Sequence, residues 1–154
     1  MRRAGRAELA GQVLMQTFRQ DHPVLEQALS YDYQAFAEKE LAFRRMHAYP
    51  PFTRMILCEF SSTFESDLRR LELELRRYCQ AEAQRRPELF KRLRLLGPSV
   101  PPLARLRSQY RLCLICLGTK VYELQTFVRK LSQQSFLKAS RLRLRLDVDP
   151  QNLI

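Results

Sequence analysis

The chain has 154 residues, 45% of them hydrophobic, with 27 basic against 16 acidic side chains and a net charge of +11. That length suits one domain of ordinary size plus an appendage, and that apolar content excludes global disorder. No apolar run reaches the length of a membrane span and no signal peptide is evident, so no membrane role and a cytoplasmic location are expected.

Twenty-two of the basic residues are arginines and five are lysines. Arginine forks match phosphate oxygens, and a charge this large favours a polyanionic partner, with nucleic acid first. An arginine-for-lysine genome bias explains the ratio but not the excess of positive charge.

In chain order, Met1 to Arg6 is a charged opening and Gln12 to Thr17 reads as a short strand. Asp21-His22-Pro23 is a helix start, with Asp21 as cap and Pro23 in the first turn. Val24, Leu25, Ala28 and Leu29 give that helix an apolar side. A second helix runs from Asp32 to about Met46 and breaks at Tyr49-Pro50-Pro51-Phe52. Residues 1–48 are thus expected to precede a separate domain at 49–154.

After Phe52 the pattern is regular. Arg54–Ser61 reads as a strand, and Ser62 or Thr63 caps a helix from Glu65 to Arg85, with Leu68, Leu71, Leu75, Tyr78 and Cys79 as its buried stripe. Leu93–Leu96 is a second strand, stopped by Gly97-Pro98. Leu106–Leu117 is a long third strand. Thr119 caps a helix whose stripe is Val121, Leu124, Val128 and Leu131. Arg141 to Val148 is the fourth strand: Leu142, Leu144, Leu146 and Val148 alternate with Arg141, Arg143, Arg145 and Asp147, predicting one buried and one basic face. The order β-α-β-β-α-β predicts an α+β fold, the split (ferredoxin-like) antiparallel sheet with helices on one face and the other face open.

On that open face the alternation places Arg92 and Arg94, Arg107 and Arg111, and Arg141, Arg143 and Arg145. They read as a phosphate-tracking DNA surface making backbone contacts without base readout, or as ordinary solvated exterior. Parity turns Tyr110 toward the core. Cys113 and Cys116 have zinc-like spacing, but residues three apart on a strand face opposite sides, so no metal site is expected and all four cysteines read as free thiols. His22 and His47 are isolated. Asp147 and Asp149 read as strand-end residues or salt-bridge partners. No phosphate-binding loop and no catalytic constellation is present.

Several segments together resemble the C-terminal part of the primosomal protein N′ (PriA) family of replication-restart helicases: Tyr49-Pro50-Pro51-Phe52-Thr53-Arg54, Leu96-Gly97-Pro98, Pro102 to Arg107, Tyr110-Arg111 and Leu146-Asp147-Val148-Asp149-Pro150. Gly11 to Thr17 and Asp21-His22-Pro23 resemble the end of that family's second motor lobe, and Arg3 to Arg6 the tail of its motif VI. The resemblance implies an S10-like, ferredoxin-related C-terminal domain that binds forked and single-stranded DNA and other primosome proteins. It implies that Arg3 and Arg6 inherit the motif VI contacts to nucleotide phosphates. It also implies a pocket for the acidic C-terminal tail of single-stranded DNA-binding protein, with Lys120 and Gln125 as its residues here. The family's ATP, magnesium and zinc are held by upstream parts, so this chain is expected to carry no cofactor, to be inactive as a motor, and to be a terminal fragment or truncated gene product. An RNA- or ribosome-associated module of the same fold is the alternative, and a purely structural buttress is a third.

Overall fold

The computed structural model describes residues 14–19, 21, 23–30 and 32–150. Contacts divide the chain between Ala42 and Phe43. In the first unit, helix α1 (Pro23–Ser30) begins on the proline whose missing N–H costs nothing there. Helix α2 (Tyr33–Met46) crosses the division, and Asp32 Oδ1 caps it by accepting from the Ala35 N–H at 2.9 Å. The part of the expected first strand that is described, Leu14–Thr17, is not a strand. A strand needs a neighbour to satisfy its backbone, and none pairs with it among the described residues.

The second unit holds β1 (Arg54–Ser62), α3 (Glu65–Arg85), the short α4 (Pro87–Phe90), β2 (Leu93–Ser99), β3 (Arg105–Leu106), β4 (Gln109–Gly118), α5 (Val121–Ser132), a 3-10 turn at Ser135–Leu137 and β5 (Arg143–Val148). The sheet is antiparallel in the order β2-β4-β1-β5, with β3 paired to the start of β4. This is the expected split order, with one strand cut in two. Arg107 and Ser108 both have positive φ, 48° and 62°, which is the signature of a two-residue hairpin turn. The third strand therefore folds back on itself at Arg107 instead of running straight through.

One face of the sheet packs on α3 and α5. Ile56, Cys58 and Phe60 of β1, Leu93 of β2 and Leu112, Leu114 and Cys116 of β4 meet Leu68, Leu71 and Leu75 of α3 and Leu124, Phe127, Val128 and Leu131 of α5. The α3 stripe is the expected one. On α5 the stripe turns through Phe127, and Val121, expected inside, is 42% exposed. Phe60, Leu75, Leu114 and Leu131 are wholly buried, each worth about 1.5–3 kcal/mol of transfer free energy.

The expected caps are shifted. The N-cap of α3 is Phe64, while Ser62 Oγ accepts from the Phe64 N–H at 3.2 Å and donates to Asp67 at 3.0 Å. The N-cap of α5 is Lys120, with no side-chain cap. Strand β2 continues past its expected end through Gly97-Pro98, by way of a bulge between Leu96 and Ser99. Gly97 has φ +98°, and a Cβ there would lie 2.8 Å from the Cys113 carbonyl oxygen, so the bulge requires glycine.

The second face corrects the expectation of an open sheet. Met55, Leu57, Cys113 and Leu117 point to it and are buried. Segments flanking the sheet are tied to it: Arg94 donates to the His47 carbonyl at 3.3 Å, and Arg111 donates to the Leu103 carbonyl at 3.3 Å. The apolar half of strands β1 and β4 demands this cover, because alternation is clean only where a sheet face meets water. Strand β5 departs in the opposite sense. It is an edge strand, and Leu146 and Val148, expected to be buried, are 44% and 57% exposed. Only Leu142 and Leu144 reach the core.

Candidate nucleic-acid and partner interface

The seven arginines expected on one surface are separated by the fold. Arg92 precedes β2 and pairs with Glu123 of α5 at 2.8 Å. Arg94 lies on the second face at the end of the sheet where β4 runs into α5. Arg111 is 8% exposed. Its guanidinium is held by Glu59, with Nε at 3.1 Å from Oε2 and Nη2 in closer contact, and by the Leu103 carbonyl. A guanidinium enclosed in this way is not offered to a ligand. Arg145 stands opposite Glu59 and pairs with Asp147 at 3.5 Å.

The remaining three lie at the other end of the sheet. Arg107 sits at the tip of the β3–β4 hairpin, and Arg143 begins β5 opposite Ser61, which in turn stands opposite Arg111 of β4. Arg141, just before β5, lies over the Phe64 ring with 4.9 Å to its centroid. Arg105, which alternation had not singled out, joins them from β3, its guanidinium 5.2 Å from the centre of the Tyr110 ring. Tyr110 itself packs on the core, as parity required. None of Arg105, Arg107, Arg141 and Arg143 has a carboxylate partner among the described residues. By contrast, four α3 arginines are spent on glutamates of their own helix: Arg69 on Glu65 at 2.8 Å, Arg76 on Glu72 at 2.7 Å, Arg77 on Glu74 at 3.4 Å and Arg85 on Glu82 at 3.8 Å. The sequence signal that separates the two groups is the carboxylate three or four residues away on a helix. The Arg111–Glu59 pair carries no such signal, because its partners are 52 residues apart.

Lys120 and Gln125 are both exposed at the start of α5; the Lys120 carbonyl accepts from the Leu124 N–H at 3.2 Å, and no hydrogen bond or ion pair engages either side chain among the described residues. Lys120 occupies an N-cap position where a short polar side chain is preferred, and its cation opposes the helix dipole. A cavity of about 570 Å³ opens beside it, lined by Lys91, Arg92, Arg94, Gly118 and Thr119 among others. Arg3 and Arg6 lie outside the described residues.

Cys113 points to the second face and Cys116 to the helix-covered core, so the pair cannot chelate. Cys58, Cys79, Cys113 and Cys116 are free thiols. Burial raises Cys79 to about 11 and raises Cys113, and a hydrogen bond with Cys58 together with burial holds Cys116 well above the usual thiol range. No group of three or more metal-ligating side chains occurs among the described residues, nor any helix long and apolar enough to cross a membrane.

Residues 45–151 match the family described as the primosomal protein N C-terminal domain. The chain belongs to that family. Relatives named replication restart protein PriA align along almost all of it: 35% identity over 151 residues in Haemophilus influenzae, 29% over 151 in Synechocystis and 25% over 154 in Bacillus subtilis. These alignments cover 98%, 98% and 96% of the chain but 20%, 17% and 18% of the relatives. The chain thus spans about a fifth of the length of those PriA proteins.

The segments that carried the PriA resemblance are joints of the fold. In Tyr49 to Arg54, Thr53 Oγ1 donates to the Ala48 carbonyl at 2.8 Å and turns the chain into β1. Leu96-Gly97-Pro98 is the bulge. In Asp147 to Pro150, Asp149 adopts φ 49°, accepts from the Met55 N–H at 3.0 Å, donates its own N–H to the Met55 carbonyl at 2.8 Å and pairs with Arg54. Asp149 is therefore a strand-end clasp, whereas Asp147 pairs only with Arg145 of its own strand, at 3.5 Å.

Proposed function

We propose that the chain is the DNA- and partner-binding domain of a replication-restart protein, gripping the phosphate backbone of forked or single-stranded DNA at the hairpin end of its sheet. The observation that carries this reading is that Arg105, Arg107, Arg141 and Arg143, from separate segments, lie at one end of the sheet with no carboxylate partner among the described residues. Backbone contacts of this kind release counterions, so affinity falls steeply with salt, with a log–log slope of roughly −0.7 to −0.9 per neutralised phosphate. The test is a salt titration of binding to a fluorescent fork. Arg107→Glu, Arg141→Glu and Arg143→Glu combined reduce the slope by about two to three units, whereas charge reversal of ion-paired Arg92 leaves it nearly unchanged. An affinity flat from low to moderate salt overturns the reading. Tighter binding to an RNA of the same shape favours the RNA-associated module instead.

The exposed cation at Lys120 favours a second contact, for the acidic C-terminal tail of single-stranded DNA-binding protein, with Gln125 one turn on. Lys120→Ala and Gln125→Ala weaken binding of that tail peptide in a titration without altering fork binding. Equal peptide affinity in the variants removes these two residues from the site. In this reading the ATP, magnesium and zinc chemistry belongs to other parts of the longer relatives, with Arg3 and Arg6 serving there. An ATPase assay of the chain alone gives only background.

A further inference from the structure

We propose that the cleft between α3 and the 3-10 turn binds the guanine base of a nucleotide. The cleft has a volume of about 420 Å³, and Tyr78, Glu82 and Phe136 line it together with Arg77, Arg85 and Lys130. It lies apart from the hairpin arginines and from Lys120. At its wall stands an unusual group: the Glu82 side chain is 9% exposed, and its Oε2 accepts no hydrogen bond. Arg86 Nε at 3.6 Å from Oε2 and Arg85 Nη1 at 3.8 Å from Oε1 balance its charge as ion pairs, but both lie beyond hydrogen-bond length. A buried carboxylate oxygen without a donor is an acceptor waiting to be satisfied. Arg85, which faces Oε1, and Arg86, which faces Oε2, have side chains 75% and 41% exposed, so both can swing outward and admit a ligand to the carboxylate.

Charge decides what that ligand is. A cationic occupant offers donors but meets Arg85, Arg86 and Lys130, while Arg77 and Glu74, paired at 3.4 Å, offset each other at the rim. A neutral donor edge carrying an anionic tail suits both the carboxylate and the surrounding cations. Among the bases, guanine alone presents two adjacent N–H donors, N1–H and the 2-amino group, in a fork matching a carboxylate. Adenine and cytosine place a ring acceptor beside their amino group, which a carboxylate repels. Thymine offers one N–H flanked by carbonyls. Tyr78 and Phe136, edge to face at 6.1 Å between centroids, supply the apolar wall for the base. Lys130, which also lines the cleft, is the cation for the phosphate.

The test titrates the intact chain with the four deoxynucleoside monophosphates by calorimetry. Deoxyguanosine monophosphate binds at least about 10-fold tighter than the other three, and deoxyinosine monophosphate, which lacks the 2-amino donor, about 10-fold weaker than it. Glu82→Gln, with one acceptor replaced by a donor, abolishes the preference. The inosine comparison needs no variant and so stands even where Glu82→Gln fails to fold. A single-stranded oligonucleotide ending in dG distinguishes the source: if it outbinds the free nucleotide in a Glu82-dependent way, the base comes from a strand end, and if not, from free nucleotide. Equal affinity for all four nucleotides, an inosine complex as tight as the guanosine one, or tighter binding of N-acetyl-arginine amide overturns the proposal. Because the Arg107, Arg141 and Arg143 charge reversals leave the cleft intact, its failure is separate from failure of the fork reading.

Discussion

Arg111 and Tyr78 show how one side chain's surroundings decide its use. Arg111 has the residue type and the strand parity of a phosphate ligand, yet Glu59 and the Leu103 carbonyl enclose it. Removing one partner of a buried pair leaves the other charge uncompensated, at a cost of about 3–5 kcal/mol. Glu59→Ala therefore lowers the urea-unfolding free energy by about 3 kcal/mol. Arg143→Ala, on the exposed edge, changes it by less than about 0.5 kcal/mol. Tyr78 gives a dependence on pH. Burial, with the Glu82 carboxylate second, pushes its phenol up to about 12, and burial pushes the Cys79 thiol up to about 11. Both groups are neutral when protonated and hold their protons more tightly folded than unfolded. Their contribution is complete below the unfolded values and is lost as pH climbs through the folded ones. Stability then falls between about pH 9 and 12, and Tyr78→Phe flattens the upper part of that fall. Ultraviolet titration of tyrosinate, compared with Tyr78→Phe, shows the Tyr78 phenolate appearing late.

At the scale of elements, the hairpin that gathers the arginines is built from a poor turn pair. Arg107 and Ser108 both hold φ above 40°, where side chains other than Asn, Asp or Gly are strained. Replacing them by Asn-Gly raises stability by about 1 kcal/mol while removing one cation from the candidate interface, as thermal melts and fork binding together would show. The same pair explains what could be read from the residues. Helix α3 was legible to its ends because Leu68, Leu71 and Leu75 repeat at a local helical spacing. The strand order was legible because helical and alternating patterns take turns along the chain. The break at Arg107 was not, since no Gly, Asn or Pro marks it. Nor was the burial of Met55, Leu57 and Leu117, which depends on segments folding across the second face. Alternation placed the arginines on a strand face correctly at Arg143 and Arg145, but it could not tell a paired guanidinium from a free one. Val121 failed for a simpler reason: it sits in the first turn of α5, beyond the edge of the sheet-covered stripe, and Phe127 fills the core in its place.

For the whole molecule, the net charge of +11 acts on both stability and binding. Self-repulsion weakens the compact state and salt screens it, while the same salt weakens a phosphate contact. Raising sodium chloride from 50 to 500 mM therefore raises the melting temperature as fork affinity collapses. Parallel melts and binding curves check these opposite trends on one sample. The clasp at Asp149 has a consequence for how such a sheet is made. Its two anchor points on β1 are Met55 and Arg54, and the hydrogen bond to Met55 spans 94 residues. During synthesis β1 emerges on the order of ten seconds before the strand that covers its outer edge. Through that interval Ile56, Cys58 and Phe60 belong to a strand with one bare side, the kind of edge that recruits foreign strands. The Asp-Val-Asp-Pro segment is thus a closing stitch, and a chain ending a dozen residues early leaves β1 as an open, sticky edge of the sheet.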